Sequence, residues 1–479
     1  MLPTQLAGLG AAGPGIDEAL DLVGGFDDGF IHGFARLGEQ PRAALTALAD
    51  ALAVTPLADR VREAVEKMVA GSLADEHLTA LAGGRAALLG AVHDALLARL
   101  DAAFGRSRAD WPAPAPADPA ADSGPADPGP PAPENVLAGC RSWLRELAIA
   151  GWRGVDHDLV AASAQTLDAA LAVPSLRRLA VLLDGLAAEL RGCAPVATMD
   201  RLPARRWADL WSRALLLAQP GGWPAGPAAE TVSGRLLPLG ADVHEHGTAV
   251  QLQVHAVFEP AGGAPPRLVR ASVSAAKVET IVGPAVWQLL AGHPVLLGAL
   301  ARRQAVEITD LPLLPGGDLR WRDEQARPGE PADPFATARL RLPEAVAPAV
   351  PPLDRHPVRI AEPVLVEDYS TATAEDGGLT LELDGQSLPV DVSRLPGCTP
   401  LTPQLVARST ACLGLLRWDA GRWRLQPLAV RYTVKRAAAE AHTGDWALGP
   451  TDPKVVKAEA RSGDAVGVLR ERAGRLLRR

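Results

Sequence analysis

The chain reads as an α+β multidomain protein: an N-terminal all-α bundle, a proline-rich linker, a second helical block, and a C-terminal antiparallel β-rich domain. Three observations predict this. Apolar residues recur at helical spacing up to about residue 219. Residues 112–134 hold nine prolines, four acids and no aliphatic or aromatic side chain larger than alanine. From about Glu230 the apolar period changes from 3.6 to 2, as half-buried strands require.

The first segment, 1–110, predicts a helical domain. Pro41 opens a helix through Leu45, Leu48 and Leu52, because a first-turn amide needs no helical partner. A second run carries Val61, Val65 and Met68. A third spans Glu76 to Phe104, with an interruption expected at Gly83-Gly84. Residues 111–135 predict an extended, solvated linker, since this composition cannot bury enough apolar surface to offset its ordering entropy. Protease cuts are expected at its edges, near Arg106, Arg108 or Glu134.

The second helical block covers 136–220. Ser175 is placed to cap a helix whose Leu176, Leu179, Leu183, Leu186 and Leu190 form one stripe. Trp143, Trp152, Trp207 and Trp211 belong to the same block and read as core aromatics. The β-rich domain spans 229–440 and implies a sandwich or partly open barrel. Val250, Leu252, Val254, Ala256 and Phe258 alternate with polar residues. Hairpins are expected at Asp384-Gly385 and at Asp419-Ala420-Gly421, the latter setting Trp418 against Trp423. Residues 280–303 read as a helical insert broken at Gly292-His293-Pro294. The span 280–301 has transmembrane length, but its prolines, Gln288 and His293 favour short buried helices. Residues 323–357 read as a long loop or second linker. Residues 441–479 form a tail.

Composition narrows the function classes. A formal net charge of −8 argues against bulk nucleic-acid binding. Arginine dominates the basic residues, a coding bias that goes with heavy alanine, glycine and proline use and suggests a GC-rich bacterial genome. Cys140, Cys193, Cys398 and Cys412 lack metal-ligand or disulfide-framework spacing and read as reduced, mostly buried thiols. The N-terminus lacks a basic signal-peptide region, so the expected address is the cytoplasm, with no membrane span.

Candidate chemistry is sparse. His244 and His246 are the weak metal candidates. His255 reads as distant from them and on the opposite face. Asp156-His157-Asp158 reads as the acid-rich first turn of a helix. Glu367, Asp368 and Tyr369 follow the strand-like VRIAEPVLV and form a possible polar pocket. Asp391-Val392-Ser393 starts like a DxSxS metal motif, but Leu395 replaces its second serine. There is no P-loop, Rossmann glycine motif, GxSxG elbow or HExxH helix, and no cofactor is expected. Residues 454–479 carry eight Lys/Arg against three acids. Val466, Leu469, Ala473 and Leu476 recur at helical spacing among Arg470, Arg472, Arg475, Arg478 and Arg479, a basic amphipathic helix. Its target is a partner groove, an anionic polymer or the protein's own acidic surface.

The block from Trp143 to Leu190 (WLRELAIAGWRGVDHDLV…LRRLAVLLDGLAAEL) resembles the helical region of bacterial SWIM zinc-finger proteins. The run RWDAGRWRLQPLAV resembles segments of those proteins and of proteins encoded beside them. The likeness covers about a quarter of the chain, and the CxC…CxH zinc signature is missing. It therefore implies company rather than zinc binding: a non-catalytic adaptor or scaffold alongside a MoxR-type AAA+ ATPase, a von Willebrand A protein or a SWIM-type protein. The rival expectation is an enzyme or small-ligand-binding protein with a pocket in the β-rich domain.

Overall fold

The computed structural model describes residues 1–10, 13–112, 133–220, 227–374, 377–462, 466–468 and 471–472. Most of the expected linker (113–132) lies outside the described residues, as do Arg470, Arg475, Arg478 and Arg479. The fold class is α+β, with helices first and antiparallel sheets after them.

The helices are α1 (Pro3–Leu9), α2 (Ile16–Gly29), α3 (Glu39–Ala51), α4 (Ala58–Val69) and α5 (Asp75–Phe104), then α6 (Glu134–Ala150), α7 (His157–Ala161), α8 (Ala164–Leu171), α9 (Arg177–Cys193) and α10 (Ala204–Leu217). Three local expectations are corrected. Helix α3 starts two residues before Pro41, which sits in its first turn. Ser175 lies in a 3-10 turn, Pro174–Leu176, and makes no capping bond for α9. Helix α5 runs unbroken through Gly83-Gly84. A methyl group on Gly84 would stand 2.8 Å from Leu52 and 3.3 Å from Val61, so this glycine serves close helix packing.

The helices of 1–110 pack on one another, and their core is continuous with that of the second helical block. Phe26, Phe30, Leu48, Val61 and Leu81 share one apolar cluster with Trp143, Leu144, Trp152, Leu183, Trp207 and Trp211 from beyond the linker. Phe30 stacks on Trp152 with ring centroids 4.3 Å apart. The backbones meet where Gly33 faces Gly151, both at positive φ (77° and 67°), and Phe34 N–H donates to Ala148 O at 2.8 Å. A methyl group on Gly151 would lie 2.0 Å from Gly33 N, so only glycine allows this approach. Helix α5 continues past this core. Val92, Leu96, Leu97 and Leu100 join Leu6, Leu9 and Ile16 in a second cluster built against the C-terminal sheets. Helical periodicity identifies these stripes but does not say which surface covers them.

The β-rich half opens with β1 (Glu230–Glu245), β2 (Ala249–Pro260) and β3 (Arg267–Ala276). Helices α11 (Val286–Leu289) and α12 (Pro294–Arg302) follow, then β4 (Gln304–Leu313), β5 (Asp318–Leu319) and β6 (Ala326–Pro331). Strands pair in the order β1-β2-β3-β5-β4-β6, and β4 also pairs with β1, closing the first five into a ring. Only the β3–β5 pairing is parallel. The long β1 serves both neighbours, with bulges between Val232 and Gly234 and between Pro238 and Gly240. Val250, Leu252, Val254 and Phe258 point inward, and α11 and α12 bring Trp287, Leu296 and Leu297 to the same core. The insert is thus two short helices inside the fold. Among the described residues no helix is long and apolar enough to cross a membrane. This strand order, with helices between β3 and β4, is the plan of a five-stranded Greek-key barrel of the OB type.

The span 323–357, expected as a loop or linker, instead holds β6 and α13 (Pro334–Arg341). Asp333 caps that helix by accepting from Phe335 N–H at 2.8 Å, while Phe335 and Ala338 are buried beside Leu237 and Leu365. Next come β7 (Glu362–Glu367), β8 (Ser370–Thr373), β9 (Leu379–Leu383), β10 (Gln386–Pro389), α14 (Pro403–Val406), β11 (Ser409–Asp419), β12 (Arg422–Val434), β13 (Ala437–His442) and α15 (Pro453–Ser462). Both expected hairpins form. Asp384 and Gly385, and likewise Ala420 and Gly421, have the paired positive φ that tight hairpins need. Trp418 lies opposite Trp423, with centroids 5.4 Å apart. The β13-β12-β11-β7 sheet packs Leu413 and Ala429 against barrel residues Leu237, Leu239 and Val257. Arg106 and Arg108 are not loose linker edges. Arg108 bonds Asp101, Glu362 and the Pro348 carbonyl, and Arg106 faces Glu362 at 3.5 Å.

Candidate functional site

Two places in the β-rich half combine polar chemistry with a defined setting. The first is the seam between barrel and second sheet. The pairing of β1 with β2 sets Gly240 opposite His255, Asp242 opposite Gln253 and His244 opposite Gln251, so these residues share the outer barrel face. At Gly240 the second sheet comes so close that a methyl group would stand 2.7 Å from the Leu428 side chain. Two rungs further on, Asp242 is buried at 2% exposure. It accepts from Arg417 Nη2 at 2.7 Å, from Gln426 Nε2 at 2.8 Å, and lies 2.9 Å from His244 Nε2. Burial opposes its ionisation, but the His244 bond, the Arg417 charge and the Gln426 bond outweigh it and hold the carboxyl below its ordinary value.

His255 corrects an expectation. It lies on the same face as Asp242 and His244, because a turn reverses the chain between them and a straight-strand count does not apply. It is buried with no partner for Nε2. Burial, with the Arg270 charge adding, pushes its imidazole down to about 3. His246 sits exposed in the β1–β2 turn. His244 engages Asp242 through Nε2. Among the described residues no group of three or more His, Cys, Asp or Glu is placed to hold a metal ion.

Glu367, Asp368 and Tyr369 do not converge on a pocket. Glu367 pairs with Arg339 at 2.5 Å on the surface. Asp368 turns the chain at φ 57° and is exposed. Tyr369 points into the core, where its hydroxyl meets Ser409 Oγ at 2.6 Å and burial raises its phenol. Asp156 does cap α7, accepting from Leu159 N–H at 2.8 Å. In the tail, Val466 is buried in the barrel core, so the first apolar position of the expected amphipathic helix packs intramolecularly, while Arg472 is exposed.

The second place is a cleft of about 340 Å³ beside β3 and the β4–β5 turn. Leu268, Val269, Leu313, Pro315 and Ala347 give it apolar walls, and Asp110, Glu230 and Arg267 are its charged residues. Arg267 bonds Glu230 at 2.7 Å and lies over the Phe258 ring. Size and lining are those of a small-ligand pocket. Sequence reading missed both places. A usable signal existed for the first: Asp242, Arg417 and Gln426 each interrupt an otherwise apolar strand run. The cleft had none, because its walls come from segments far apart in the chain.

Comparison of the chain with protein-family models, with curated proteins and with solved structures returns no match.

Proposed function

We propose that this chain is a non-catalytic cytoplasmic interaction protein, an adaptor or scaffold in a system built on a MoxR-type AAA+ ATPase with von Willebrand A or SWIM-type partners. The observation that carries the reading is how the fold uses its polar candidates. His244 is tied to Asp242, Glu367 to Arg339, Tyr369 to Ser409, and Asp156 to a helix cap. An OB-type barrel agrees with binding as the role, although a fold alone does not fix the ligand. Nucleic acid is a poor fit. The outer face of β2 and β3 offers Gln251, Gln253, Ser272 and Ser274, and the His255 ring on it is buried, so no exposed ring is there for bases to stack on.

Co-purification of the full chain from its native host tests the proposal. An ATPase or von Willebrand A protein should accompany it at low salt, and recovery of the chain alone at every salt concentration refutes it. The cleft favours a second reading, a small-ligand-binding protein with an apolar ligand held beside Arg267. Native mass spectrometry of the purified chain should then show a retained small molecule that R267E loses.

A further inference from the structure

We propose that the junction of α9, α10 and the segment Pro352–Arg359 is a binding site for a free phosphoryl anion such as inorganic phosphate. Three arginines from three elements converge there on two carboxylates. Arg178 Nη2 and Arg359 Nη1 approach the same oxygen, Oδ1 of Asp354, at 3.2 and 3.3 Å. Arg213 reaches Asp209 at 3.4 Å, but its buried Nε makes no aligned hydrogen bond. His356 Nε2 stands 3.8 Å from the same carboxylate. Arg85 stands 3.9 Å away but is already paired with buried Asp27.

Setting that Arg85–Asp27 pair aside leaves three guanidiniums for two carboxylates. Each guanidinium has five N–H donors, so the two carboxylates leave donors for a further acceptor. Burial dominates the titration of two residues here. Burial pushes Arg213 below its ordinary value, with Asp209 and Asp354 opposing and Arg359 and Arg178 adding. Burial also presses His356 down to about 4, with Arg85, Arg359 and Arg213 adding and Asp209 opposing. Three guanidiniums against two carboxylates leave a local excess of positive charge that favours an added anion. A tetrahedral phosphoryl group supplies enough oxygens for three arginine forks at once, which one carboxylate does not. Arg178 and Arg359 are half exposed, so an anion can reach them from solvent, while Arg213 is 11% exposed.

The site is independent of any protein partner. Thermal unfolding of the full chain should be followed in increasing phosphate and, at matched ionic strength, in sodium chloride. The midpoint should rise and saturate with phosphate only. The R178Q/R359Q double variant changes two half-exposed side chains, so it should fold and lose roughly tenfold or more in apparent phosphate affinity. Coincident phosphate and chloride curves, or a double variant with the wild-type response, overturn the proposal.

Discussion

Expressed without the rest of the chain, residues 1–110 should fail to form a stable domain. Leu6, Leu9, Ile16, Val92, Leu96, Leu97 and Leu100 are each at most 6% exposed, packed with Val364, Leu388, Leu416 and Leu425 of the distant sheets. Returning seven such side chains to water costs about 10–20 kcal/mol at roughly 1.5–3 kcal/mol each. That is an upper figure, because an unfolded chain already buries part of this surface. It still matches the roughly 5–15 kcal/mol by which whole domains are stable. The fragment also loses Trp152 and Trp211 from around Phe30. Circular dichroism through a urea titration reads the outcome: weak helicity with a shallow, non-cooperative transition. Mixing with the 133–479 fragment should restore a cooperative transition. Native-like helicity with sharp unfolding of 1–110 alone would refute the reasoning.

Gly151→Ala should destabilise by about 3 kcal/mol or more, since it combines a left-handed backbone with a backbone clash at Gly33; chemical denaturation checks this, and a loss below about 1 kcal/mol contradicts it. Asp242→Ala should cost about 3–5 kcal/mol by leaving Arg417 buried without its carboxylate, measured the same way. His356, held at about 4, favours its neutral form in the fold. Its contribution is therefore complete above the ordinary value near 6.5 and is lost as pH falls toward about 4, up to about 3 kcal/mol. His356→Asn keeps an acceptor for the Val358 amide and should flatten that acid limb of stability against pH. An unchanged slope would show that another group controls it.

What could be read from the sequence was local. The leucine stripe of α9, the aromatic core of the second block, the short helices inside 280–303 and both tight turns follow from spacing and turn chemistry a few residues wide. What could not be read was long-range. Gly33 and Gly151 look like ordinary loop glycines until one stands against the other. Residues 323–357, rich in proline and charge, mask a helix whose buried residues Phe335 and Ala338 are too few to mark a stripe. For the candidate sites, residue type nominated Glu367 and Tyr369, but partners 28 and 40 positions away, Arg339 and Ser409, decided their roles.

The contact of α1 with β10 also sets an order of events during synthesis. Leu6 and Leu9 leave the ribosome more than 370 residues before β10, against which α1 packs. At about 5–20 residues per second, that is a wait of roughly 20–80 seconds. Throughout it, the apolar faces of α1 and the far half of α5 stay open to solvent and to neighbouring nascent chains. Apolar surface left open in this way is prone to aggregate until the later strands arrive.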